Sequence, residues 1–339
     1  MIFSNFDSRK LVSLAEYWKP IRSGVIPPPI AMSLDLGNKC QNDCFFCNAK
    51  RCTPDKEMDV ETFAHVIDFL NWAKTKSVCV AGGKESLTNP DAAWYISRII
   101  KETGAAVGLI TNGVKYVKLD KLRFLNVSVN AGDAETYKKV CGADHFRQVC
   151  ANILQWVEDG QPVTYKVMVT NRNKGIDTFV KSAEMAASLG CKTLLFRYAG
   201  NPWFDMDKES MVNISEIEIE AMCAAVNALK NKYGDLEIEF PIDRTDRYSV
   251  KATPKTCAGC KVNVVVTADG EVFGCSDHRG NKDLHYCHIS RLKDFWGSRW
   301  HTEKVAMINP AKCPRCSFYQ HSVVLDEFVY NDASNQYFI

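Results

Sequence analysis

Between Ile30 and Lys230 one unit recurs six times: a short β-branched or apolar run, a turn, then apolar residues at helical spacing. The runs predict strands over Ile30–Leu36, Ser77–Val80, Ala106–Ile110, Phe124–Val129, Val163–Val169 and Thr193–Arg197. The segments between predict helices over Asp59–Ala73, Pro90–Ile100, Lys118–Leu122, Asp133–Val140, Phe146–Glu158, Asp177–Leu189 and Glu216–Lys230. Asn89 reads as the cap of the second helix, with Pro90 at its first position. A last short strand is expected at Leu236–Phe240. Alternating strands and helices imply a parallel sheet with right-handed crossovers. Six units suit an incomplete barrel, and a doubly wound open sheet fits the periodicity equally well.

The cysteines carry the next constraint. There are 15 in 339 residues. No apolar run approaches the ~18 residues of a membrane span, and Met1–Lys10 is charged without an apolar core, so no membrane partner and a cytoplasmic location are expected. Structural disulfides are disfavoured in that compartment, and clustered thiols there point to metal or catalysis. The net charge is only +2, which argues against duplex nucleic acid as a main partner.

Cys40, Cys44 and Cys47 are spaced C-x3-C-x2-C directly after the first strand. In parallel α/β folds the carboxyl ends of strands carry the chemistry. Iron–sulfur clusters are usually held by four thiolates, so three leave one iron open to a ligand. A zinc site lacking a ligand, or incidental thiols, are the competing readings.

With Phe46 before its third cysteine, this loop resembles the signature of the radical S-adenosylmethionine (SAM) superfamily. The resemblance extends over residues 30–240 and implies a partial (β/α)6 TIM-like barrel. It implies a SAM-binding [4Fe–4S] cluster on Cys40, Cys44 and Cys47, with SAM cleaved reductively to a 5′-deoxyadenosyl radical that abstracts a substrate hydrogen. A low-potential electron donor such as flavodoxin or ferredoxin is then implied. Ala81-Gly82-Gly83-Lys84-Glu85-Ser86 resembles the family's Gly-Gly-Glu-Pro turn, departing at Lys84 and Ser86; Gly82, Gly83 and Glu85 are implied near the SAM amino group. Thr111-Asn112-Gly113 resembles the family's third-strand turn. Ser128 is an implied contact to the SAM carboxylate or ribose, and Arg197, at the end of the sixth strand, has a guanidinium suited to pair with the SAM carboxylate. Asn130 stands where many relatives have Asp, so no carboxylate chemistry is assigned there.

Six more cysteines lie between Cys257 and Cys316, after a change of pattern near 241–250. Thr267–Val272 carries an Asp-Gly hairpin signal. Two C-x2-C pairs across a hairpin can enclose a metal, zinc included, although the gap from Cys275 to Cys313 is long for a zinc ribbon. Cys260-x9-Gly270-x4-Cys275, the segment His288–Trp296 and Cys313-x2-Cys316 resemble a twitch domain, the short form of the SPASM domain. The resemblance implies an α+β module over residues 241–339 with one auxiliary [4Fe–4S] cluster on Cys260, Cys275, Cys313 and Cys316. Cys257 competes with Cys260, and Cys287 is a spare. Residues 1–29 form an N-terminal extension stiffened by Pro27-Pro28-Pro29.

The remaining residues read more plainly. Cys52 and the other scattered thiols are packing residues by default. Trp72, Trp94, Trp156 and Trp296 are expected in the core, and Trp203 in a loop beside the substrate. Asp277, His278 and Arg279 are expected to face the space between the clusters. Tyr198, Asp205 and His278 are candidate bases. The functional expectation is oxidation of a small polar metabolite such as a sugar or aminocyclitol. A peptide or protein maturase, an epimerase, isomerase or nucleotide-modifying enzyme, and a zinc-stabilised binding protein are the alternatives.

Overall fold

The computed structural model describes residues 14–47, 49, 56–199, 213–240, 254–313, 316 and 318–330. Its first half alternates as the periodicity predicts. The elements run β1 (Ala31–Leu34), α2 (Val60–Ala73), β2 (Ser77–Val80), α3 (Ala92–Thr103), β3 (Ala106–Thr111), β4 (Phe124–Ser128), α4 (Ala134–Cys141), α5 (Phe146–Glu158), β5 (Val163–Val169), α6 (Ile176–Ser188), β6 (Thr193–Tyr198), α7 (Glu216–Lys232) and β7 (Glu237–Glu239). A helix α1 (Ala15–Arg22) precedes them.

Local chemistry sets the helix ends. The Asp59 carboxylate accepts from the Thr62 amide at 2.8 Å and opens α2. Asp133 does the same for α4 through Thr136 at 2.8 Å. Ser215 and Glu218 form a reciprocal capping box on α7. Two helix readings are corrected. α3 starts at Ala92, two residues later than expected, with Asp91 at the N-cap position but making no side-chain cap bond; Asn89 Oδ1 still accepts the Asp91 amide at 2.9 Å, and its Nδ2 donates to the Leu36 and Met58 carbonyls. Lys118–Leu122 is not helical. Gln161 takes up the Leu119 and Asp120 carbonyls and the Leu122 amide, so these groups are not spent on a helix.

Strands β1 to β7 are parallel and lie in sequence order. That order decides between the two architectures. A doubly wound sheet reverses its strand order at a switch point; an uninterrupted order with crossovers of one hand keeps the helices on one side and curls as a barrel does. Alternate strand residues, such as Met32, Leu34, Val78 and Val80, are buried, while Ser33 and Cys79 on the other face are only partly so. The core lies between strands and helices: Phe179 stacks on Phe196 at 4.3 Å, and Trp156 is buried with its indole N–H on the Val117 carbonyl. Trp296 is also buried, but Trp72 and Trp94 are each 44% exposed. Those two lie on outer helix positions, where Arg98 covers the Trp94 ring at 4.9 Å.

The C-terminal segment contributes α8 (Gly259–Val262), β8 (Asn263–Val266), β9 (Glu271–Phe273), β10 (His285–His288), α9 (Leu292–Phe295), α10 (Arg299–Ala306) and α11 (Tyr319–Tyr330). β8 pairs in parallel with β1, and β9 and β10 follow antiparallel, so one ten-stranded sheet runs through both cysteine regions. Among the described residues no helix is long and apolar enough to cross a membrane.

Candidate active site

The carboxyl ends of β1 to β5 surround a cavity of about 490 Å³. Cys40, Cys44 and Cys47 line it, with Phe46, Gly82, Gly83, Glu85, Asn112 and Ser128. The sequence thus anticipates much of this wall. It misses Asn42, Asp43, Lys84, Lys166 and Met168 as lining residues. For Lys166 a signal exists: it is a lone cation within the apolar run of β5.

The three-thiol loop is held from several sides. Asp43 N–H donates to the Cys141 carbonyl at 2.8 Å, and Asn42 Nδ2 donates to the Tyr137 hydroxyl at 2.9 Å, both on α4. The Glu85 amide donates to the Lys39 carbonyl at 2.8 Å. Glu85 then carries the connection to β3. Its buried carboxylate accepts from Thr111 Oγ1 at 2.8 Å, from the Asn112 amide at 2.6 Å and from the Leu87 amide at 3.1 Å. Burial pushes this carboxyl above the usual range, against the pull of the Asn112 and Thr111 donors. Asn112 closes the circuit: its amide donates to Gln41 Oε1 at 3.0 Å and to Cys40 Sγ at 3.4 Å. Burial pushes the Cys40 thiol up to about 11. Asn130 ties β4 to β5 by accepting the Met168 amide at 3.0 Å.

A guanidinium braces the other side. Arg279 Nε donates to Asp35 Oδ2 at 2.9 Å, and its other nitrogens donate to the Ser276 and Ala81 carbonyls at 2.6 and 3.2 Å. Asp35 is fully buried at the end of β1. Gly82 has φ +94°, and a Cβ there would overlap the Arg279 guanidinium.

Other predicted residues fall elsewhere. Arg197 is the register partner of Met168 but does not line the cavity. The Tyr198 hydroxyl lies 3.8 Å from Met222 Sδ, with its ring 5.3 Å from Phe240. His278 is buried with Nδ1 3.3 Å from the Asn281 amide, and burial lowers its pKa. Of the neighbours Asp277, His278 and Arg279, Arg279 reaches the strand ends, at Asp35 and Ala81. Asp205, Trp203 and Cys52 lie outside the described residues, as does the boundary near 241–250.

In the second cysteine group Cys257 Sγ and Cys260 Sγ are 3.5 Å apart. A hydrogen bond from Cys260 lowers the Cys257 thiol to about 7. Burial raises Cys275 well up, Cys313 to about 11 and Cys316 to about 12, and charge on Cys257 pushes all three the same way. Cys275, Cys313 and Cys316 thus each feel the charge of Cys257, which pairs with Cys260. Cys287 on β10 feels Arg291 and Glu271 instead. Among the described residues no three Cys, His, Asp or Glu side chains converge on one metal ion. The ligands of a multi-iron cluster sit on different irons, and three thiols around one cavity suit that donor set.

The cavity is walled by thiols after the first strand and by a glycine turn after the second. Residues 34–186 fit the Radical SAM superfamily model, so this chain carries a radical SAM domain. Such a domain binds a [4Fe–4S] cluster and SAM. A Pyrobaculum aerophilum protein named probable GTP 3′,8-cyclase is 23% identical over 268 residues, covering 74% of this chain and 84% of its own. Its Saccharolobus islandicus namesake is 29% identical over 168 residues, covering 47% of this chain; the chain spans about half of that relative (53%). In fold, the chain resembles Streptococcus suis SuiB bound to S-adenosylmethionine, with TM-score 0.65, 13% identity and coverage of 90% and 74%. It also resembles native anSMEcpe with bound AdoMet, with TM-score 0.64, 14% identity and coverage of 86% and 88%.

Proposed function

We propose that this chain uses reductive SAM cleavage to oxidise a small polar substrate, a sugar or aminocyclitol being the expected class. Cys40, Cys44 and Cys47 hold the SAM-binding cluster, which with SAM supplies a 5′-deoxyadenosyl radical. The Gly82–Gly83 turn, Glu85, Asn112 and Ser128 orient SAM. Cys275, Cys313, Cys316 and either Cys260 or Cys257 hold an auxiliary [4Fe–4S] cluster. Oxidation of a carbinol to a carbonyl would require its carbon to give one hydrogen atom to that radical, and its hydroxyl proton and one electron to leave. An auxiliary cluster on those thiols would be a suitable acceptor for that electron. The supporting observation is Arg279, which ties the loop after Cys275 to the ends of β1 and β2. A flavodoxin or ferredoxin would supply the first electron.

A second reading has its own support. The curated relatives are named GTP 3′,8-cyclases, and Lys84 and Lys166 offer the cavity wall two cations for an anionic substrate such as a nucleotide. The same assay tests both. Reduced enzyme is incubated anaerobically with SAM and either a panel of polyols and aminocyclitols or GTP. The oxidation reading expects a product two hydrogens lighter, formed in step with 5′-deoxyadenosine. A cyclised GTP product, with every polyol unchanged, overturns it in favour of the second reading.

A further inference from the structure

We propose that Arg279 is a positioning residue that couples the second cysteine region to SAM binding, by setting the shape of the Gly82–Gly83 turn through Asp35. The proposal rests on the reading of that turn as a SAM contact. One guanidinium holds three separate pieces of chain. It donates to Asp35 Oδ2, where β1 ends, to the Ala81 carbonyl, where β2 ends, and to the Ser276 carbonyl, one residue after Cys275. Asp35 and Arg279 are 244 positions apart in sequence. The Asp35 amide also donates to the Val266 carbonyl of β8 at 2.9 Å, so the carboxylate sits at the seam between the two regions.

The geometry singles out the glycine turn as what this pair controls. Asp35 Oδ1 lies 2.8 Å from the place a Gly82 Cβ would take, and Asp35 Cβ lies 3.2 Å from that of Gly83. Both glycines have positive φ, +94° and +61°. The turn is therefore moulded around the ion pair, and the next residues, Lys84 and Glu85, line the cavity.

Stability alone is a poor account of the pair. A buried ion pair is often no better for folding than apolar side chains of similar volume. Here Asp35 Oδ1 is buried with no hydrogen-bond partner among the described residues, so the pair is not even fully satisfied. Its distinctive property is the three-way fork. Lysine offers the same charge without the planar, divergent donors, so Arg279→Lys separates charge from geometry.

The test is SAM binding to the anaerobically reconstituted full chain, by equilibrium dialysis with labelled SAM, with iron content measured on the same samples. Arg279→Met and Asp35→Asn are expected to weaken SAM binding by roughly tenfold, within the ~5–150-fold span of ordinary site-to-site coupling. The iron of the three-thiol loop should stay in place. The double variant should lose little more than either single one, because both act through one contact. Arg279→Lys should recover only part of the affinity. Hydrogen exchange supplies a second readout: in Arg279→Lys, amides at 81–85 and at 276–279 should both speed up. Wild-type affinity in Arg279→Met, or faster exchange confined to 276–279, overturns the proposal. If the wild-type chain itself binds no SAM, the reading of the turn falls first.

Discussion

The side-chain amide of Asn112, at the end of β3, lies 3.4 Å from Sγ of Cys40 in the loop after β1. Hydrogen bonds to ligating sulfurs help set a cluster's potential by stabilising the more negative, reduced form. Asn112→Ala is therefore expected to lower the potential of the SAM-binding cluster. A redox titration followed by electron paramagnetic resonance reads it, and an unchanged midpoint would remove Asn112 from this role.

Glu85 is the brace behind that contact. Glu85→Ala leaves the Thr111 hydroxyl and the Asn112 amide without their acceptor. Stranded buried donors cost about 1–3 kcal/mol each. Denaturant unfolding should show a loss of that order, together with weaker SAM binding. A variant as stable as wild type would mean that water replaces the carboxylate.

Asp35 gives a pH signature. Burial pushes its carboxyl up to about 6, while Arg279 pulls it down; Asp269 and, through its thiol, Cys79 are the other charged or titratable neighbours. A folded-state value above the unfolded one means the folded chain holds more protons between about 4 and 6. Stability should then fall as pH rises through that window and level off above it. Between pH 5 and 7, wild type should lose on the order of 1 kcal/mol relative to Asp35→Asn. Parallel stability profiles for the two proteins would contradict the assignment.

The outer layer has its own test. Phe179 on α6 stacks on Phe196 and meets Phe240 edge-on at 5.8 Å. Phe179→Ala should cost about 3–5 kcal/mol, read from the denaturation midpoint, while the three-thiol loop keeps its iron. A cost under about 1 kcal/mol would mean that the site collapses to fill the gap.

What could be read from the sequence follows the range of the interactions. Strands β1 to β6 and helices α2, α5 and α6 are visible because the period of apolar residues and caps such as Asp59 are local signals. The three-thiol loop is visible because its spacing is local too. Lys118–Leu122 misled because its helical pattern is overruled by Gln161, some forty residues on. The pairing of β8 with β1 and the reach of Arg279 to Asp35 leave no local mark, since each joins segments more than 200 residues apart. Lys166 on β5 is not legible as a lining residue, because strand periodicity alone does not tell which face looks into a cavity.

The proposed function needs a cluster on the three-thiol loop and a second, electron-accepting cluster on the C-terminal cysteines. The most direct measurement is iron, sulfide and zinc per chain after anaerobic reconstitution, for wild type, Cys44→Ala and Cys275→Ala. Two four-iron clusters predict about eight irons in wild type and about four in each variant, with 5′-deoxyadenosine formation abolished in Cys44→Ala. About four irons and one zinc in wild type, with iron unchanged in Cys275→Ala, would contradict the account.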